Sequence, residues 1–92
     1  MNVKLIRIEA PEVAPGAEVE VRVSIEIDGT EESYLFRVEP NVLPGWDASL
    51  VVASTALQDR LRHEQHALHR ICRLVGKGVR GQAVHLPQLI AA

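Results

Sequence analysis

A helical pattern runs through residues 47–75, DASLVVASTALQDRLRHEQHALHRICRLV. The predicted arrangement of the other elements depends on this helix. From Leu57 onward its apolar residues recur at spacings of four, seven, three and four, as on one side of an α-helix. At about 100° per residue the apolar side chains fill an arc of roughly 160°, wide enough to cover a sheet and also to meet a second helix. We therefore predict one long helix over residues 47–76, with Asp47 as its N-cap and Gly76 at its end.

A second reading of the start of this segment stays open. Residues 51–55, Val-Val-Ala-Ser-Thr, have weak helix propensity, and Thr55 with Gln58 fits a capping box. In that reading Leu50 to Ala53 form a short strand and the helix begins at Thr55.

Residues 17–27 form the clearest strand, because Val or Ile alternates there with polar residues and one face is predicted to be buried. Asp28-Gly29 follows and favours a type I′ hairpin turn, since both positions of that turn need a positive φ. The turn sets a register that pairs Ile27 with Thr30, Val23 with Tyr34, Val21 with Phe36, Val19 with Val38, and Glu20 with Arg37. Turn chemistry and hydrophobic pattern agree on this hairpin independently.

The flanking segments complete the outline of the fold. Val3 to Glu9 is predicted as a first strand whose irregular alternation indicates a β-bulge or burial on both faces. Pro15-Gly16 indicates a turn, and Pro40 ends the second strand of the hairpin. Gln82 to Leu86 is predicted as a short last strand, followed by an apolar tail over 88–92.

The order of these elements predicts one α+β domain over residues 1–92. In that fold a small antiparallel sheet of three to four strands packs against one long C-terminal helix.

Charge is distributed unevenly along a chain whose net charge is −2. Residues 1–47 carry four basic and ten acidic side chains, and residues 48–92 carry six basic and two acidic ones, so the halves have net charges of −6 and +4. The lone Cys72 excludes an internal disulfide, and the sequence shows neither a signal peptide nor an apolar run of the roughly 20 residues that cross a membrane. We therefore expect a cytoplasmic protein without a membrane segment.

The length of the predicted helix suggests a homodimer. A helix over 47–75 is about 43 Å long at 1.5 Å per residue, whereas a domain of this size has a radius of gyration near 12 Å. Because one hairpin cannot cover so long an apolar arc, a second copy is expected to cover part of it. The predicted interface residues are Leu57, Leu61, Glu64, Leu68, Ile71 and Val75.

Glu64 is the unusual member of that set, because it falls near the centre of the apolar arc, where a carboxylate is costly unless it is paired. Three interpretations are open: an ion pair with Arg60, a polar residue that sets the register between two copies, or a catalytic acid. Catalysis needs a second positioned group, and the sequence offers no obvious one, so we predict a protein that is not an enzyme.

A basic stripe on the opposite side of the helix supports an alternative function, nucleic-acid binding. Its residues recur at helical spacing and end in the loop beyond the helix: Arg62, His66, His69, Arg73, Lys77 and Arg80. The acidic net charge and the lack of a base-stacking aromatic platform argue against this alternative.

Two other motifs are interpreted structurally. His63, His66 and His69 extend over about 9 Å of helix, too far for one zinc ion with bonds of about 2.0–2.1 Å, so no metal site is predicted. Residues 76–81 match G-x-G-x-x-G, but these glycines follow a helix instead of opening one, so no dinucleotide cofactor is predicted.

Most of the chain resembles a group of small bacterial proteins of unknown function. The resemblance lies in the short strands, in Phe36-Arg37-Val38 before a long Arg-rich helix, and in the Gly-x-Gly before a last strand. It implies a fold and no particular activity. The sequence therefore predicts a non-enzymatic protein–protein interaction or self-associating module.

Overall fold

The computed structural model of the chain describes residues 1–9, 18–40, 49–79 and 81–92. Within them, five strands form one antiparallel sheet that curves as a half-barrel, with strand order β4-β3-β2-β1-β5. The elements in chain order are β1 (Val3–Glu9), β2 (Val19–Ile27), β3 (Thr30–Pro40), β4 (Ser49–Ala53), α1 (Thr55–Arg60), α2 (Gln65–Val79) and β5 (Gln88–Ala91).

The predicted hairpin is confirmed by β2 and β3. All five predicted pairs occur in its register, including Val21 with Phe36 and Glu20 with Arg37. Asp28 and Gly29 have φ values of 49° and 88°, as a type I′ turn requires. The irregular first strand is also explained, because the pairing of β1 with β2 shifts between Leu5 and Arg7, which is a β-bulge.

The prediction of a small sheet against one long C-terminal helix is wrong, since the fold is mostly sheet. The segment predicted as one helix contains a strand and two helices. Val51 and Val52 belong to β4, which pairs with the outer edge of β3, in keeping with the strand preference of β-branched residues. The alternative start at Thr55 is the observed one, and the predicted cap Asp47 lies outside the described residues.

Ser54 caps α1, because its Oγ accepts a hydrogen bond from the Leu57 amide at 3.3 Å. After α1 the backbone tightens into a turn over 61–64. The Arg62 amide bonds to the Asp59 carbonyl at 3.4 Å and the Glu64 amide bonds to the Leu61 carbonyl at 2.8 Å, both three residues back. This turn separates α1 from α2, so the two helices present independent faces.

The end predicted at Gly76 is also wrong, because α2 continues to Val79. Gly78 allows a close approach to the sheet, since a Cβ there would lie 3.3 Å from Cδ1 of Ile8. The helix ends in a Schellman motif built on Gly81, whose φ is 81°. The Gln82 amide bonds to the Lys77 carbonyl at 3.0 Å and the Gly81 amide to the Gly78 carbonyl at 3.1 Å.

The last strand lies later in the chain than predicted. Gln82 to Leu86 do not form a strand, whereas the segment expected to be an apolar tail forms β5 and pairs antiparallel with β1. Burial explains the difference, because Ile90 is 8% exposed and packs with the core.

The core joins side chains of the sheet and the helices, and α2 contacts β4, β1 and β5. Its largest fully buried side chains are Phe36, Leu5, Ile25, Leu57, Leu61, Ile71, Val3, Val21, Val23 and Val75. The described residues measure 39 × 22 × 19 Å with a Cα radius of gyration of 12.8 Å. No helix among them is both long and apolar enough to cross a membrane.

Candidate binding groove

Most of the predicted interface residues lie inside the core of a single chain. Leu57, Leu61, Ile71 and Val75 are each 0% exposed, while Leu68 and Glu64 are half-buried. The five-stranded sheet and the turn between the helices let one chain cover the apolar arc by itself. The length of the apolar arc is therefore no longer a reason to expect a dimer through it.

Glu64 occupies the turn between α1 and α2 instead of the centre of a helix face. Its carbonyl accepts the hydrogen bond of the Leu68 amide at 3.1 Å, at the entry to α2. Within the described residues its carboxylate makes no ion pair with Arg60. The turn has taken this side chain out of the apolar arc, so it needs no buried partner.

A groove of about 590 Å³ lies between α2 and β5. Helix α2 lines it with exposed basic side chains, and β5 lines it with half-buried or buried ones. Its lining residues are Glu64, His66, Ala67, His69, Arg70, Arg73, Leu74, Lys77, Gln88, Ile90 and Ala91. We call His66, His69, Arg70, Arg73 and Lys77 the basic row.

The structure brings together four of the six residues predicted for nucleic-acid binding, because His66, His69, Arg73 and Lys77 all belong to the basic row. Arg62 lies in the turn before α2, where its Nη1 is 3.7 Å from Oδ1 of Asp59. Arg80 lies outside the described residues.

Arg70 was missed by the sequence analysis, although the signal was present. It follows His66 by four residues and precedes Arg73 by three, which is the spacing of neighbours on one helix face. In the orientation that satisfies both ends of the Gln88 amide, its oxygen accepts from Nη2 of Arg70 at 3.0 Å and its nitrogen donates to the His85 carbonyl at 3.3 Å. Arg70 thus connects α2 to β5 across the groove.

The electrostatics of the groove favour an anion. Arg70, Arg73 and Lys77 contribute basic side chains to its lining, and Glu64 is the one acidic residue among the described lining residues. Because the row is exposed to solvent, each ion pair it makes contributes only about 0–1 kcal/mol and weakens with salt. Binding of appreciable strength therefore needs several anionic groups together with apolar contact.

Other chemistry has less support in this region. Across the described residues no three His, Cys, Asp or Glu side chains converge to hold a metal ion. Cys72 is half-buried in α2, and its burial raises the pKa of the thiol.

Comparison with protein-family models, with curated proteins and with solved structures gives no match in any of the three.

Proposed function

We propose that this chain is a non-enzymatic protein-interaction module that binds an acidic segment of a partner protein in the groove between α2 and β5. One observation carries the proposal: a single groove combines the basic row with an apolar wall formed by Leu74, Ile90 and Ala91. A protein segment can supply carboxylates and apolar side chains side by side, and so can satisfy both parts of this lining.

Nucleic-acid binding is the second candidate, and the convergence of four predicted basic residues in one groove favours it. Stacking on aromatic rings is the usual sequence-tolerant contribution to single-strand binding. The aromatic residues in the described part of the chain, Tyr34 and Phe36, are 7% and 1% exposed in the core, so neither offers such a platform. The basic row by itself is better matched to carboxylates beside an apolar surface.

A homodimer belongs to this proposal as the case in which a second copy supplies the acidic surface. The charge difference between the two halves of the chain supports it, and exposed Glu20, Glu31 and Glu32 provide acidic groups on β2 and β3. A cytoplasmic, bacterial setting belongs to the same proposal and is supported by the unpaired thiol of Cys72 and by the resemblance given above.

The test uses the full chain and a labelled peptide of alternating Val and Glu, with a peptide of alternating Val and Gln as the uncharged control. We expect the Glu peptide to bind measurably more tightly than the Gln peptide. Arg73→Glu should weaken its binding about tenfold at low salt, which corresponds to about 1.4 kcal/mol.

Arg62→Glu is the matched control, because it makes the same charge change at an exposed position outside the groove. It should bind the peptide nearly as the parent chain does. Equal binding of the Glu and Gln peptides would refute the proposal. Tighter, steeply salt-dependent binding to a single-stranded oligonucleotide, lost in Arg73→Glu, would favour the second candidate.

A further inference from the structure

We infer that the acidic segment binds as an added β-strand along the open edge of β5, with acidic side chains at alternate positions facing the basic row. This inference rests on the proposed function, and it specifies how the groove recognises a partner segment.

Among the described residues, the edge of the sheet beside the groove has no pairing strand. β5 stands last in the strand order and pairs with β1 on one side, and no strand of the described chain pairs with its other side. Alternate backbone N–H and C=O groups of an edge strand point away from its neighbour, where they can pair with another extended segment. Because Gln88, Ile90 and Ala91 all line the groove, a segment bound there lies next to this edge.

The length of the basic row accommodates a short strand. From His66 to Lys77 the row extends about 16 Å at 1.5 Å per residue, the length of about five strand residues at 3.3 Å each. Side chains on one face of a strand recur about every 6.6 Å, and successive turns of a helix are about 5.4 Å apart. Three acidic side chains at alternate positions span about 13 Å, so all three fit within the length of the row.

The opposite face of the added strand would lie on the same side of the sheet as an exposed apolar side chain, Leu89. Leu89 is 49% exposed and pairs in register with Lys4, whereas its neighbour Ile90 is buried. Side chains alternate across a strand, so the residues between the acidic ones would lie on the same side as Leu89. Apolar residues there would cover it, which gives the partner segment an alternating acidic and apolar pattern.

The test asks whether the peptide uses its backbone. In a strand, the amides of one alternate set of residues point to one neighbour and those of the other set point away. We would compare the alternating Val and Glu peptide with two derivatives, one N-methylated at every Glu amide and one N-methylated at every Val amide. Each derivative keeps all side chains, so each is the control for the other.

We expect one derivative to lose at least tenfold in affinity for the full chain and the other to stay within about twofold of the parent peptide, since an edge strand offers hydrogen bonds on one side only. Equal affinity of both derivatives and the parent would overturn strand addition and leave the proposed function standing. Loss of binding by both derivatives would also overturn it. Failure of the unmethylated peptide to bind would refute the proposed function itself.

Discussion

Tyr34 shows how a single side chain is adjusted by its surroundings. It lies 7% exposed on the core side of β3, and its hydroxyl donates to Oε2 of Glu32 at 2.6 Å. Burial, together with this hydrogen bond to a carboxylate, raises the pKa of the phenol above its ordinary value of 10.0. Both effects favour the neutral phenol, because the phenolate would lose solvation and face a negative charge.

Because Tyr34 is the one tyrosine of the chain, its titration can be followed by the near-ultraviolet absorbance of the phenolate. We expect a midpoint above 10.0 in the folded protein and a smaller rise in Glu32→Gln, which removes the carboxylate charge. A raised pKa in the folded state stabilises the fold fully below the unfolded pKa, and this contribution is lost as the pH rises through the folded pKa.

Tyr34→Phe should therefore flatten the alkaline fall in the free energy of unfolding, measured by urea titration at several pH values. At neutral pH it should cost about 1 kcal/mol, the usual net value of one hydrogen bond. A native midpoint at or below that of the urea-unfolded chain would contradict this account.

At the scale of elements, the C-terminus of α2 depends on one backbone conformation. Gly81 has a φ of 81° and provides the left-handed residue of the Schellman motif. A residue with a Cβ is strained at this positive φ, although a Cβ at Gly81 would meet no atom within 4 Å. Any destabilisation by a small side chain at this position would therefore come from the backbone alone.

Gly81→Ala should lower the free energy of unfolding by about 1 kcal/mol, as measured by urea titration. Gly81→Asn is the matched control, because asparagine tolerates the left-handed region better than alanine and should restore part of the loss. If the alanine variant were as stable as the parent chain, the motif would not contribute to stability.

The elements also show what the sequence could and could not reveal. The β2–β3 hairpin was predictable residue by residue, since Asp28-Gly29 fixes the register and the alternation of Val and Ile confirms it. The break between α1 and α2 was not predictable. The spacing of seven between Leu61 and Leu68 fits an unbroken helix and equally fits two helices joined by a tight turn. Val51 and Val52 carry the signal for β4, because β-branched residues favour strands.

The groove was predictable only in part. The basic row lies on one helix face, so four of its five residues followed from spacing alone. Its apolar wall did not, because Ile90 and Ala91 reach the groove only through the pairing of β5 with β1. That pairing joins segments that are far apart in sequence, so no local sequence pattern predicts it.

At the scale of the whole molecule, the apolar arc and the basic row are two separate surfaces. The residues of the apolar arc lie in the core of one chain, and the basic row lies on the exposed face of α2. Stability and association should therefore respond to different substitutions.

Leu61→Ala should lower the free energy of unfolding by about 2–5 kcal/mol, the range for a leucine truncated in a core, and should leave the solution mass unchanged. Arg73→Glu should leave stability nearly unchanged and, where light scattering shows a dimer of the parent chain, should return the mass to 10.1 kDa. A change in the solution mass caused by Leu61→Ala would indicate that the apolar arc forms an interface between two copies, and would contradict this account.

The pairing of β1 with β5 also constrains how the protein is made. Val3 lies opposite Ala91, so one flank of β1 stays without its neighbour until residue 91 has emerged from the ribosome. Closing so long a stretch of chain is entropically costly. Until β5 is available, the backbone groups on this side of β1 stay unpaired in the nascent chain. Among the strand pairings of the described sheet, this one is therefore the last that can form during translation.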